Sequence, residues 1–278
     1  MSPRIAICFF GITRSLGHTI RSIEEHVLKP AATLGEVHLY AHFFQQARID
    51  NVRSGESGAL DPEEYRLLAS DWLRLEEPET CLETWHFEAL KRFGDFWEDG
   101  FKSLRNLVHQ LHSMRQVTLA ALAEGADVCL FCRPDLRYHD SLAPALQRAV
   151  QSANGPRSPL AQIPVWQSYC GQNDRFALCT GEAAIRAYGT RIEQALAFCQ
   201  ATGRPLHSER LLAWTLDQAN IPIRGIAARA SRVRLDGSER IEHFLPMGRR
   251  TRARMLAERL YRDGLKRIGI APPPLRLD

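Results

Sequence analysis

The sequence predicts an α/β fold: a mixed, mainly parallel sheet flanked by helices. Three observations predict it. The run "RIAICFFG" at 4–11 is continuously apolar and ends on Gly11, the pattern of a strand buried on both faces. A helical stretch and a second apolar run, "EVHLYAHFF" at 36–44, follow at once. Strand, helix and strand so close together form a βαβ unit, which requires a parallel pair. "DVCLFC" at 127–132 then repeats the buried-strand pattern after a long amphipathic stretch.

The elements follow in order. Residues 12–30 read as a helix, with Thr13 and Ser15 as caps, Ile20, Ile23 and Val27 on one face and Pro30 as a stop. Residues 46–62, with Gly55, Gly58 and Pro62, read as an exposed loop. "DPEEYRLLASDWL" starts a short helix, Asp61 capping it and Pro62 at its first position. Residues 76–100 are acidic and aromatic and favour no element. "SLRNLVHQLHSMRQVTLAALAEG" at 103–125 is a long helix that places Leu104, Leu107, Val108, Leu111, Met114 and Val117 on one face, with Gly125 closing it. A connection at 153–164, a strand in "IPVWQSYCG" and another at 173–180 come next. "GEAAIRAYGTRIEQALAFC" and "HSERLLAWTLDQAN" read as helices, "IPIRGI" and "ARASRVRL" as strands. A late pair of antiparallel strands is expected from these last two.

The bulk properties exclude several classes. The 278 residues are 45% hydrophobic and 24% charged, an ordinary globular balance. A net charge of +4 is too small to argue for nucleic acid, and none is expected as a partner. Charge is uneven, with Asp and Glu concentrated at 56–99 and Arg at 224–267, and the latter suits an anionic ligand. Seven cysteines, mostly in apolar runs, read as reduced and buried. Cys129-x-x-Cys132 has the spacing of a redox or zinc pair, but it falls within a strand and no second pair follows. No signal peptide or membrane-length apolar run is present, which predicts a soluble, cytoplasmic protein.

Ligands in such sheets sit beyond the carboxyl ends of strands, and three strand ends carry chemistry here. The first is Phe10-Gly11-Ile12-Thr13-Arg14: Gly11 permits close backbone approach, and Arg14 lies at a helix start, where anions are favoured. Neither a GxGxxG nor a GxxxxGK[ST] motif is present. The second is Arg133-Pro134-Asp135-Leu136-Arg137. A strand would set its three charged residues on one face. Asp135 can hold a divalent cation that bridges a diphosphate, the arginines can bind phosphate oxygens directly, or the trio is an internal ion pair. The third is Asn173-Asp174-Arg175-Phe176, with Glu209 later in "HSERLL". These two carboxylates are candidates for a general base, with turn and helix-start roles as the alternative.

Taken in order, "FGITRSL", "NLVHQLHSMRQV", "FCRPDLRY", "GQNDRFALCTGEAAIRAY" and "HSERLLAWTLDQANIPI" resemble a group of bacterial GT-A-like glycosyltransferases associated with surface-polysaccharide synthesis. The resemblance spans roughly residues 4–235 and implies a nucleotide-diphospho-sugar donor held at the carboxyl ends of the sheet. It implies Phe10, Gly11 and Arg14 at the nucleotide, helped by His42. Asn106, Gln110 and Arg115 of the long helix would line the donor pocket, Asn106 and Gln110 sharing a face. Asp135 stands where the family has a metal-binding Asp-x-Asp motif, the place for Mn2+ or Mg2+. The sequence departs from that motif: Arg133 replaces the first aspartate and Arg137 follows. Two routes stay open for the leaving diphosphate, a cation on Asp135 or arginines alone. Asp174 or Glu209 would be the base for the acceptor hydroxyl, or would bind the sugars. A non-catalytic nucleotide- or glycan-binding protein is the alternative.

Domain boundaries are expected at 1–245 for the sheet domain and 246–278 for a basic helix and tail. Residues 248–269 hold eight Lys or Arg, with Leu256–Leu260 and Tyr261–Leu265 at i, i+4 spacing. Such a helix can lie on an anionic membrane surface, suiting a lipid-linked acceptor at the inner face. The plainer reading is a solvated basic face.

Overall fold

The computed structural model describes residues 3–51, 55–153, 155, 158–169 and 171–245. Strand β1 (Arg4–Gly11) sends Ile5, Ile7 and Phe9 to one face and Ala6, Cys8 and Phe10 to the other, all buried. Gly11 leaves the strand at φ +110°, a backbone region that side chains rarely tolerate. The predicted helix over 12–30 begins later, as α1 (Leu16–Ile23), and passes through a π-helical stretch, Glu24–Leu28, into α2 (Lys29–Ala32). Pro30 therefore lies within the last turn of this continuous helical stretch instead of stopping it, just after the π-helical residues. Strand β2 (Glu36–Phe44) then lies parallel to β1, Gly11 opposite Phe43, as the βαβ reading requires.

The next stretch departs from expectation. Within 46–62, β3 (Arg48–Asn51) and β4 (Glu56–Ala59) pair as an antiparallel hairpin. Its strands lack apolar alternation, so no periodic signal marked them. The helix expected from Asp61 shrinks to a single 3-10 turn, Glu64–Leu67, with Asp61 Oδ1 accepting the Glu63 N–H at 2.9 Å. "WLRLE" becomes the edge strand β5 (Trp72–Glu76), parallel to β2. Pairing with β2 overrides local helix propensity here, as tertiary context often does. A short helix, α3 (Phe87–Lys91), sits in the acidic aromatic region. The long helix α4 (Lys102–Ala123) forms as expected, and Gly125 closes it at φ +77°. Its buried stripe lies across β1 and β2.

Strand β6 (Val128–Cys132) lies parallel to β1 on the side away from β2. The chain continues through β7 (Leu136–Tyr138), α5 (Ala143–Ala153) and β8 (Leu160–Pro164). Strand β8 begins inside the expected connection and ends at Pro164, because Trp166 turns into the core and donates its indole N–H to Ala228 O. Then come β9 (Ala177–Thr180), α6 (Glu182–Gly189), α7 (Ala195–Thr202), α8 (Ser208–Gln218), β10 (Ile223–Ile226) and β11 (Ala230–Arg232). The main sheet has the order β10-β8-β9-β6-β1-β2-β5. It is mixed and mainly parallel, with β9 antiparallel to both neighbours. The expected late antiparallel pair does not form: β10 runs parallel to β8, and β11 joins β7 in a separate small sheet.

Helices cover both faces. One core sets α4, α6, α7 and α8 against Ala6, Cys8, Phe10 and Cys129; the other sets α1 and α5 against Ile7, Phe9, Leu130 and Cys132. Cys129 and Cys132 thus point to opposite faces, which rules out a shared metal or disulfide. The six described cysteines are free and buried. Among the described residues no helix is long and apolar enough to cross a membrane. Residues 246–278, the expected basic helix and tail, lie outside the described residues.

Candidate functional site

The sheet order sets where a ligand can sit. From β1 the chain moves outward to β2, whereas β6 joins the opposite side of β1. The carboxyl ends of β1 and β6 therefore flank a topological switch point, the place where open α/β sheets bind ligands. Two polar clusters stand along this edge, one on either side of β1.

The first is built on charge. After β6 the chain turns sharply, so Arg133 and Asp135 face each other. Arg133 Nε and Nη2 donate to the two oxygens of Asp135 at 2.9 and 2.8 Å, a bidentate fork. Arg14, reaching over from the start of α1, donates from Nη2 to Asp135 Oδ2 at 2.7 Å and from Nη1 to Glu56 Oε2 at 3.1 Å. Glu56 comes from the β3–β4 hairpin and also accepts from Arg234 Nη1 at 3.3 Å and from the Leu235 N–H. Gln110 of α4 accepts Arg133 Nη1–H at 3.0 Å. Thr19 bonds Pro134 O, and the Val233 N–H bonds Asp135 O, so the backbone of the turn is held from two sides.

Three guanidiniums here meet two carboxylates, and Asp174 also acts on the charge of Arg133. Arg14 Nε and Gln110 Nε2 are buried donors with no hydrogen-bond partner. Buried donors are normally satisfied, so unpartnered ones at a strand end mark a place for an acceptor. Burial opposes the charge on Asp135, but Arg133 and Arg14 outweigh it and hold its carboxyl well below the usual range. Both Asp135 oxygens are already occupied by guanidinium donors. A divalent cation on Asp135 would have to displace an arginine.

Asp174 lies nearby in electrostatic terms. It is buried and accepts the Ser208 hydroxyl at the start of α8. Burial opposes its charge, yet Arg175, Ser208, Arg191 and Arg133 together keep its carboxyl below the ordinary value. Arg191 is itself buried; its Nη1 donates to Tyr188 O at 2.7 Å, while Nε and Nη2 have no partner. Glu209 follows Ser208 on α8 but turns to His207, with Oε2 3.2 Å from Nδ1.

Other expected contributors sit elsewhere. Arg137 does not share a face with Asp135: the turn at 133–135 breaks the alternation, and Arg137 pairs with Glu239 and His18 O. Phe10 is enclosed in the core on the α4 side, so only its backbone reaches the strand end. Asn106 is exposed, whereas Gln110, one turn on, holds Arg133. Arg115 bonds Glu193 at 2.6 Å and lies over the Trp85 ring. A cleft of about 440 Å³ is lined by His139, Arg229, Glu239, Glu242 and Phe244 among others, and contains none of the candidate donor residues.

The second cluster lies at the ends of β2 and β5. His42, Glu76 and His112 bring one ligand atom each within 4.8 Å of one another. Glu76 Oε2 is 3.1 Å from His42 Nε2 and 3.2 Å from His112 Nε2. Ser113 fixes the proton on His42: its hydroxyl donates to His42 O at 2.7 Å and accepts the Gly11 N–H at 2.8 Å. His42 Nδ1, 3.0 Å away, must then be the donor to that oxygen. Burial drives the His42 pKa down to about 4 against the pull of Glu76. Burial pushes Glu76 up, but hydrogen bonds from Thr80, His112 and His42 prevail and bring it to about 2. Trp85 Nε1–H donates to His112 Nδ1 at 2.8 Å, and Gln116 Nε2 lies 3.2 Å from His112 Nε2.

His42, expected beside the nucleotide, lies instead with Glu76 and His112; Glu56, Glu76, His112, Ser113 and Arg191 were not among the expected site residues. His109 and His112 at i, i+3 on a helix were a signal for one of them.

No family model matches the chain, and no curated protein matches it. Among solved structures, the apo form of mouse xyloside xylosyltransferase 1 is similar, with a TM-score of 0.44 and 10% identity, over 81% of this chain and 85% of that one. The likeness is too distant for residue roles to be read across.

Proposed function

We propose that the protein is a GT-A-like glycosyltransferase that moves a sugar from a nucleotide-diphosphate donor to a hydroxyl of a glycan or lipid-linked acceptor. The observation that carries this reading is the arginine-rich cluster at the switch point of the sheet. Three guanidiniums surround two carboxylates, and Arg14 Nε and Gln110 Nε2 lack acceptors. A diphosphate supplies several acceptor oxygens for these donors, and Gly11 leaves the backbone open beside it.

In the reaction the acceptor oxygen bonds to the anomeric carbon while the bond from that carbon to the diphosphate oxygen breaks. The diphosphate leaves with the electron pair. Arg14 and Arg133 offset its growing charge, and preorganised donors of this kind are among the strongest sources of transition-state stabilisation. Asp174 takes the acceptor proton or orients a sugar hydroxyl; Glu209 of α8 is the alternative carboxylate. The absence of a free carboxylate at Asp135 favours arginines over a cation at the leaving group. The eight basic residues of 248–269 would suit docking on an anionic membrane that carries a lipid-linked acceptor, which vesicle co-sedimentation tests.

One observation favours a second reading, a non-catalytic nucleotide or glycan binder. The carboxyl of Asp174 is held low, which makes it a weak base. Thermal shift against nucleoside diphosphates and nucleotide sugars, followed by a transfer assay, decides. A ligand at about 100 times its Kd adds about 2.7 kcal/mol to stability. A shift with turnover that Asp174→Asn abolishes supports the enzyme, and a shift without turnover supports the binder. No shift with any nucleotide overturns both.

A further inference from the structure

We propose that His42, Glu76 and His112 form a binding site for one divalent transition-metal ion of the zinc class, separate from the arginine cluster. Three features of the site point to it. The donor set is two imidazoles and one carboxylate, a set used for zinc and for non-haem iron, and unlike the all-oxygen sets of magnesium and calcium. The spacing fits: Glu76 Oε2 lies 3.1 and 3.2 Å from the two Nε2 atoms. Ligands at zinc bond lengths of 2.0–2.1 Å in tetrahedral array stand about 3.3 Å apart.

The third feature is the set of groups that hold the ligands in place. The outer contacts are those a ligating histidine and carboxylate use: Ser113 holds the His42 ring, and Thr80 donates to the other Glu76 oxygen at 2.7 Å. Glu76 is reached from solvent beside the exposed Arg74, whose Nη2 is 3.6 Å from Glu76 Oε2.

Three contacts compete with the ion. Arg74 already offsets part of the Glu76 charge, Gln116 Nε2 lies 3.2 Å from His112 Nε2, and Trp85 donates to His112 Nδ1. Loading the site puts the His112 proton on Nδ1 and turns the indole and the Gln116 amide aside. Bound, the ion ties the edge strand β5 to β2 and α4.

The test uses the untagged full chain, stripped with chelator and titrated with Zn2+ and Co2+ by calorimetry, with metal analysis after dialysis. The account expects one ion per chain, a raised Tm, and visible Co2+ bands of a low-coordinate nitrogen–oxygen site. Glu76→Gln, at a partly accessible position, and His112→Gln, at a buried one, should each weaken binding at least 100-fold. Ser113→Ala should weaken it about 10–100-fold through the His42 ring. Trp85→Phe removes the competing donor and should tighten it. Mg2+ and Ca2+ should not compete. Failure of stripped wild type to take up one Zn2+, or uptake unchanged in both Glu76→Gln and His112→Gln, overturns the site. Nucleotide binding by the arginine cluster is measured separately, so the two proposals fail independently.

Discussion

The two clusters on either side of β1 differ in what converges in them. Around Asp135 there are more donors than acceptors: every carboxylate oxygen is engaged, while Arg14 Nε and Gln110 Nε2 have no partner. Around Glu76 two imidazoles and a carboxylate bring their ligand atoms together. By the two proposals above, the same strand edge would take an anion on one side and a cation on the other. Ser113 lies beside β1 and β2, accepting from Gly11 N and His42 Nδ1. Polar residues at a strand end do not by themselves say which ligand they suit; the donor and ligand atoms that converge there do.

The largest effect expected from this contrast is on stability at the charged cluster. Asp135→Ala strands two poorly exposed guanidiniums and should cost about 3–5 kcal/mol in chemical denaturation. Glu76→Gln, in a cluster that is not charge-saturated, should cost far less. Equal costs would erase the distinction. A smaller effect is expected at the glycine joining the two clusters: Gly11→Ala forces a side chain into φ +110° and should cost about 1–3 kcal/mol, although open space surrounds the added carbon.

Acid should separate the clusters further. Burial brings His42 and His109 each down to about 4 from the ordinary histidine value. Between those two pH values the unfolded chain binds more protons than the folded one. Their stabilising contribution is therefore complete above about pH 6.5 and is lost as pH falls towards 4. Asp135, held well below the carboxylate range, keeps its ion pairs throughout that window. Histidine signals followed by NMR across pH 4–7 should show the ends of β2 and α4 loosening first. Simultaneous loss of both clusters would contradict the assignment. The smallest effect expected is from Arg115→Ala, whose partly exposed bond to Glu193 should contribute under about 1 kcal/mol and leave nucleotide binding unchanged.

The framework was legible where residues are periodic or fully apolar: β1, β2, β6 and α4 follow directly from their runs. Strand β5 was not, because an edge strand needs only one buried face and its Trp72-Leu73-Arg74-Leu75 mimics a helix end. The β3–β4 hairpin was not, because it is polar on both sides. Arg14, Arg133 and Asp135 were singled out by strand-end position and Gln110 by the family resemblance, and the structure brings the four together. Arg137 was misplaced by treating 133–137 as one strand when Pro134 turns the chain. Glu56 and Glu76 were hidden among many acids, since nothing local distinguishes a carboxylate that tertiary packing will bury.

The central claim is that the arginine cluster binds a diphosphate, and calorimetric titration of a nucleoside diphosphate into wild type and Arg133→Gln tests it most directly. The account predicts one site per wild-type chain and affinity lowered at least tenfold in the variant, with wild-type secondary structure retained. Absence of binding to wild type, or equal affinity in both, would contradict it.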